Sequence, residues 1–303
     1  MRQGEDHSHR QRGAVAFDYQ ESLEIGLEGP DPALETLSRW DRAPRLWASL
    51  LEIIQSHVAF EELASEIHAC RRCPRLVEWR EARATDPPRR FRGDEYWARP
   101  LDGFGDPAAR VAIVGLAPAA HGANRTGRMF TGDRSGEWLY AALHRAGYAN
   151  RAESEHRDDG LRLRDAYITA VVRCAPPANR PSPEERDTCL PYLERELALL
   201  ERCRVVVALG GFAWDGALRA IRGIGGEIPR PRPRFGHGAE TQAGRWHLLG
   251  CYHPSQQNTF TGRLTAPMLD EVLARARERA ASSPPSLGSH QSPPRQGDRR
   301  FPL

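Results

Sequence analysis

Four short apolar runs in the middle of the chain constrain its fold more than any other feature. Each is followed by a turn or loop signal, and together they span residues 111–116, 166–172, 204–209 and 246–251. Helical patterns alternate with them, over residues 136–146, 183–200 and 266–279. Buried strands that alternate with helices are typical of a parallel sheet covered on both faces. The sequence therefore predicts an α/β fold: a three-layer α/β/α sandwich with a central, mainly parallel four-stranded sheet.

The two ends of the chain differ in composition from its middle. Residues 1–40 are polar without a clear period, and residues 281–303 are rich in Pro, Ser and Gly, so we expect a disordered extension and a disordered tail. Residues 41–280 would then form the domain. Apolar runs are too short to cross a bilayer, and the N-terminus lacks the apolar segment of a signal peptide. We expect a cytoplasmic monomer with no membrane partner.

The basic residues are unusual in kind rather than in number. The formal net charge is only +3, which by itself does not indicate a nucleic-acid partner, but all 43 basic residues are arginine. Without lysine no side chain can form a Schiff base, so sugar chemistry would have to use water or a carboxylate. The arginine-rich segments 89–92 and 229–235 are typical of solvated loops, with contact to DNA as the alternative for either.

Four cysteines form a candidate metal site, and they are Cys70, Cys73, Cys174 and Cys189. In a reducing compartment, four thiolates suit a [4Fe-4S] cluster or a tetrahedral zinc ion, and the spacing alone leaves both open. The proline after Cys73 and the single C-x2-C pair favour iron–sulfur. The alternative is that Cys174 and Cys189 are unrelated core thiols, as we expect Cys203 and Cys251 to be.

Two loops that follow predicted strands hold the candidate catalytic groups. Because ligands bind beyond the carboxyl ends of parallel strands, these loops should carry the chemistry. Residues 115–133 are rich in Gly and Ala, with Phe130 available to stack on a flat base and Asp133 directly before a helix. Asp133 would either cap that helix or act in catalysis, or do both. The second loop places His253 at a strand end, and a third loop brings Asn179 near Cys174.

The segments GLAPAAHGANRTGRMFTGD and HPSQQNTFTGR resemble the motifs of the uracil-DNA glycosylase superfamily, family 5 (the UDGb type). The resemblance covers about residues 60–279. It implies that the four cysteines bind a structural [4Fe-4S] cluster, that Phe130 stacks on the flipped base, and that His253 hydrogen-bonds uracil O2. Asn179 resembles an active-site asparagine. A loop that fills the gap in the duplex is implied for Gln256, Gln257, Asn258 and Arg263.

Alanine at position 117 departs from the superfamily pattern, because other branches carry Asp, Glu or Asn near this position. Family 5 shares this difference, and the resemblance assigns the carboxylate role to Asp133. The wall of the base pocket would consist of small or polar residues beside Phe130, namely Gly115, Ala117, His121 and Asn124. His121 and Asn124 are equally suited to stabilising the loop. A pocket lined by the small residues Ala117, Ala119, Ala120 and Gly122 would be roomy, which predicts that larger deaminated bases such as hypoxanthine are accepted.

The implied activity is that of a monofunctional glycosylase in base excision repair. Its partner would be double-stranded DNA containing uracil or another deaminated base, and its product an abasic site. Arg125, Arg128 and Arg263 are candidate phosphate contacts. Two alternatives remain open: a non-catalytic iron–sulfur module that binds lesions, and a zinc-containing hydrolase of small nucleotides.

Overall fold

The computed structural model describes residues 55–282, and a six-stranded sheet forms their centre. The strands lie in the order β1-β3-β2-β4-β6-β5. Their bounds are β1 Phe104–Gly105, β2 Val111–Gly115, β3 Ala166–Ala170, β4 Val205–Leu209, β5 Glu240–Ala243 and β6 Trp246–Cys251. The four central strands are the four predicted ones and all are parallel, with Val111 opposite Ala166 on one side and Val205 on the other.

Two short antiparallel strands extend the predicted four-stranded sheet to six. β1 pairs with β3 at one edge, and β5 pairs with β6 at the other. The sequence analysis missed both. β1 has only two residues, one of them Gly105, and β5 reads Glu-Thr-Gln-Ala with a single buried side chain, Ala243. Edge strands of this kind carry no apolar run, since only part of their surface is covered.

Helices cover both faces of the sheet, as predicted. Their bounds are α1 55–69, α2 Pro74–Thr85, α3 Ala123–Thr126, α4 Arg134–Arg145, α5 Pro183–Leu199, α6 Gly211–Gly223, α7 Gln256–Phe260 and α8 Ala266–Ser282. Along β2, Ala112 and Val114 face a core with α1, α2, α5 and α6, whereas Val111 and Ile113 face a core with α4 and α8. This alternation is the two-residue period of a strand, and it confirms the three-layer sandwich.

A buried ion pair joins the end of β3 to α5. Arg173 and Glu196 are each only 1% exposed, and the Glu196 carboxylate also accepts hydrogen bonds from the Thr169 hydroxyl and the backbone N–H of Gly103. Saturating a buried charge in this way avoids the large cost of leaving it unpaired. The pair therefore holds the loop that begins at Cys174 against α5, which carries Cys189.

The predicted extension, residues 1–40, lies outside the described residues, as does most of the predicted tail. Ala281 and Ser282 are described, and they end α8. Within residues 55–282, every helix is too short or too polar to span a lipid bilayer.

Candidate active site

Phe130 and His253 meet at the carboxyl edge of the sheet, although they follow different strands. Their ring centroids are 5.8 Å apart and the ring planes are inclined by 31°. A side chain at position 115, the last residue of β2, would come within 2.9 Å of the Phe130 ring. Gly115 thus makes room for the aromatic ring. Phe130 also has a φ of +53°, a left-handed conformation that is rare for a bulky residue and costs conformational strain.

Asp133 follows Phe130 by three residues and stands at the start of α4. It is the N-cap of the helix, and its Oδ1 accepts a hydrogen bond from the N–H of Gly136 at 3.0 Å. The other oxygen, Oδ2, lies against Gly122, where a Cβ atom would be 2.0 Å away. Burial raises the pKa of the Asp133 carboxyl, and the N–H groups of Gly136 and Ser135 oppose this shift. The two predicted roles of Asp133 are compatible, because the cap uses one oxygen.

His253 is half-buried and is held through its backbone. Burial lowers the pKa of its imidazole to about 4, so the ring is neutral in ordinary buffers. Its carbonyl oxygen accepts a hydrogen bond from Nδ2 of Asn258 at 2.8 Å, and Ser255 caps α7 through the N–H of Asn258. Asn258, predicted for the DNA-inserting loop, therefore also positions the strand end that carries His253.

The remaining residues of the predicted inserting loop lie on or just after α7. Gln256 and Gln257 are exposed, and Arg263 lies 4.6 Å from the ring centre of Tyr252. Phe260, the aromatic residue of this polar loop, is 67% exposed, and its ring centre lies 4.6 Å from the guanidinium carbon of Arg134. A large exposed ring at this position suits insertion between bases.

His121 and Asn124 make contacts within the protein. His121 Nδ1 is 2.9 Å from the hydroxyl of Tyr96. Asn124 is fully buried and its Nδ2 donates to the carbonyl oxygens of Arg80 and Ala120. These contacts fix the 115–133 loop to neighbouring segments. Base binding by the two side chains stays a prediction, and the burial of Asn124 disfavours it.

Three further residues that the sequence singled out, Asn179, Ala117 and Arg128, lie in different surroundings. Asn179 is exposed, and it and Ala178 both have left-handed backbone conformations, so this turn is constrained near Cys174 without a described contact to Phe130 or His253. Ala117 is half-buried against the core. Arg128 was wrongly expected at phosphates: its guanidinium is buried and forms an ion pair of 2.6 Å with Asp159.

The four predicted cysteine ligands surround a single cavity. It lies between the start of α2 and α5. Besides the four cysteines, its wall contains the apolar residues Leu76, Val77 and Pro100 and the polar residues Arg72, Arg173, Thr188 and Tyr192. Among residues 55–282, no group of three or more His, Cys, Asp or Glu side chains is arranged to hold a metal ion. As expected, Cys203 and Cys251 are buried elsewhere in the core.

A buried arginine contacts one of these cysteines. Arg80 is 1% exposed, and its Nη1 lies 2.9 Å from Sγ of Cys174. Its nearest carboxylate is on Glu81, 3.9 Å away, and its Nε has no partner among the described residues. A buried guanidinium that is so weakly compensated is costly unless negative charge lies nearby. Thiolate ligands would supply that charge.

The comparisons with known proteins agree with this geometry. A family model described as the uracil DNA glycosylase superfamily matches residues 103–277. A type-5 uracil-DNA glycosylase of Mycobacterium bovis is 57% identical over 221 residues, which cover 72% of this chain and 81% of that protein. A type-5 uracil-DNA glycosylase of Thermus thermophilus is 52% identical over 221 residues, covering 73% and 98%.

A more distant relative is a type-4 uracil-DNA glycosylase of Archaeoglobus fulgidus. It is 31% identical over 163 residues, which cover 51% of this chain and 70% of the relative. The resemblance seen in the two loop motifs is thus confirmed over most of the chain. The chain belongs to the uracil-DNA glycosylase superfamily, in its type-5 branch.

Proposed function

We propose that this protein is a monofunctional glycosylase that hydrolyses the bond between a deaminated base and deoxyribose in double-stranded DNA. The observation that carries the proposal is the Phe130–His253 ring pair at one edge of the sheet, with the carboxylate of Asp133 three residues after Phe130 at the start of α4. An aromatic face, a neutral hydrogen-bond donor and a carboxylate are the three groups that this reaction requires.

The reaction begins when the damaged nucleotide rotates out of the duplex. This step costs a few kcal/mol and is easier for a mispaired base, so a U·G pair is favoured over a matched pair. The extruded base stacks on Phe130. Neutral His253 donates a hydrogen bond to a carbonyl oxygen of the base, which stabilises the negative charge that develops there.

Cleavage then breaks the C1′–N bond, and its electron pair leaves with the base. Asp133 stabilises the positive charge on the sugar and orients a water molecule, whose oxygen forms the new bond to C1′. The proton of that water passes to Asp133 and from there to solvent. Because the chain contains no lysine, no Schiff base with the sugar follows, and the product is an intact strand with an abasic site.

Uracil need not be the only substrate. The loop after β2 contains four small residues, Ala117, Ala119, Ala120 and Gly122, and the last of these lies against the carboxylate of Asp133. Alanine at 117 leaves space where a larger polar side chain would narrow the pocket. We infer that purine lesions such as hypoxanthine also fit.

Duplexes with a U·G pair or an inosine residue test this function directly. We expect strand scission only after alkali treatment of the reaction, because the enzyme leaves an abasic site and does not cut the backbone. Scission without alkali would contradict the monofunctional mechanism. An intact inosine duplex at high enzyme concentration would restrict the substrate to uracil.

Asp133→Asn separates catalysis from binding. Asparagine is as good an N-cap as aspartate, so α4 stays intact, but it can neither accept a proton nor stabilise a cation. We expect turnover on U·G duplex to fall by about 10²–10⁴-fold while the dissociation constant for the duplex is retained. Unchanged turnover would favour the non-catalytic binding module.

Gly122→Ala tests the position of the same carboxylate. The added Cβ would lie 2.0 Å from Oδ2 of Asp133, so the carboxylate must move away from the sugar. Turnover should fall nearly as far as in Asp133→Asn. Gly211→Ala is the control, because a Cβ there meets only ordinary contacts, 3.5 Å from Phe235.

The pH dependence of kcat/KM should reflect the titration of Asp133 rather than that of His253. Burial raises the pKa of Asp133 above 3.8, with Glu137 adding to the rise and Arg125 opposing it, whereas burial keeps His253 neutral down to a pKa of about 4. We therefore expect kcat/KM to fall as the pH drops through the raised pKa of Asp133. His253→Asn should lower the rate without moving that limb. A shift of the limb in this variant would identify His253 as the titrating group.

The cysteine cavity suits a [4Fe-4S] cluster better than zinc. One zinc ion would draw four sulfur atoms to within about 2.3 Å of a single point, whereas the cysteines of a cubane each bind a different iron and stand further apart. Four thiols that line one small cavity, without the geometry of a single-ion site among residues 55–282, are compatible with the second arrangement. When bound, the cluster would supply a crosslink between α2, the 174–183 loop and α5.

Arg80 provides a test of this cofactor. We expect the purified protein to contain four iron and four acid-labile sulfide per chain, and Arg80→Met to lose visible absorbance and iron faster in the presence of a chelator. The reason is that methionine cannot compensate the charge of the thiolates. Arg83→Met, on the same helix but stacked on Trp79, should behave like the unmodified protein. One zinc per chain and no sulfide would contradict the proposal.

A further inference from the structure

Residues 229–235, the arginine arm, read Pro-Arg-Pro-Arg-Pro-Arg-Phe and have no role in the mechanism above. The sequence alone suggests a solvated loop. In the structure the arm leads from α6 towards β5 and passes beside the carboxyl ends of β4 and β6. Its arginines Arg230, Arg232 and Arg234 are exposed.

The arm is held firmly to the domain. Nε1 of Trp214 donates a hydrogen bond to the carbonyl oxygen of Pro233 at 3.1 Å. Phe235 ends the arm in an aromatic cluster, with ring centroids 6.2 Å from Trp214 and 6.1 Å from Tyr252. Three prolines further limit the backbone. Little conformational entropy therefore remains to be lost when the arm binds a ligand.

The base of the arm adjoins the active site. Phe235 packs against Tyr252, the residue before His253. Its ring also lies near Gly211, and the preceding Gly210 has the Cβ of His253 as its close neighbour. A ligand that reaches the arm is therefore continuous with a ligand at His253.

The charges on this surface are unbalanced. Asp215 is the carboxylate that holds the arm, through Arg232, and it already pairs with Arg219 at 2.7 Å and Arg186 at 3.4 Å. No ion pair or hydrogen bond of the Arg230 or Arg234 side chain occurs within residues 55–282. These two guanidinium groups thus project positive charge from a rigid support next to the catalytic groups.

We propose that the arginine arm binds the DNA backbone beside the damaged nucleotide, with Arg230 and Arg234 on phosphates. The inference rests on the proposed function and adds to it a second surface that contacts DNA. Guanidinium groups match phosphate oxygens in shape and charge. Contacts of this kind hold the duplex in register and do not read its sequence.

The test compares Arg230→Ala/Arg234→Ala with the unmodified protein. The probe is a duplex with 2′-fluoro-2′-deoxyuridine opposite guanine, which resists hydrolysis, and its binding is measured between about 0.05 and 0.2 M salt. Each phosphate contact contributes about 0.9 to the slope of log K against log salt, so the double variant should lose about 1.8. Arg230→Lys/Arg234→Lys should restore most of the slope, because lysine retains the charge.

The matched control removes the same charge at the opposite edge of the sheet. Arg202 precedes β4 and Arg222 lies in the last turn of α6, and both are exposed. Arg202→Ala/Arg222→Ala should leave the slope nearly unchanged. An equal loss in both double variants would mean that only net charge matters, and an unchanged slope in the arm variant would also overturn the proposal.

The experiment distinguishes a failure of the proposed glycosylase function from a failure of the arm proposal. If the unmodified protein binds the duplex but does not release uracil, the catalytic assignment fails and the salt slopes still decide the role of the arm. If it releases uracil and the arm variant keeps the full slope, only the arm proposal fails.

Discussion

The parallel pairing of β3, β2, β4 and β6 is the constraint on which the rest of this molecule depends. Parallel strands must be joined by crossovers, so all four carboxyl ends emerge at one edge of the sheet. The loops after β2 and β6 are consequently neighbours in space, and Phe130 meets His253 there. The loop after β3, with its cysteine, starts from the same edge. The reaction site and the cysteine site are thus two consequences of one topology.

At this edge of the sheet, glycines leave the space that the neighbouring catalytic side chains occupy. Gly115 leaves room for the Phe130 ring, and Gly122 leaves room for the carboxylate of Asp133. Asp133 combines two tasks, since one oxygen caps α4 while the other lies against Gly122, and partial burial raises its pKa. Stability and chemistry are therefore coupled in one side chain. The asparagine variant separates them because the amide oxygen still accepts the capping hydrogen bond.

Two buried arginines lie near the cysteine cavity, and they differ in how their charge is compensated. Arg173 is neutralised by Glu196 within the protein, whereas Arg80 has Sγ of Cys174 as its closest partner. The contrast between these two arginines shows where the protein lacks internal negative charge. Asn124 links this region to the catalytic loop, because its amide donates to the carbonyl oxygen of Arg80. The cysteine cavity and the loop that ends at Asp133 are in this way parts of one hydrogen-bonded unit.

Local patterns in the sequence determined the four central strands, the helices α4, α5 and α8, and the loops with Asp133 and His253, because burial on both faces requires continuous apolar runs. Only the tertiary structure decided the edge strands, whose polar residues pair with neighbours distant in sequence. It also decided that Arg128 is buried against Asp159 while Arg230 and Arg234 stay exposed. The reason is physical: the partner of a charged side chain comes from a remote segment, and no local pattern records it.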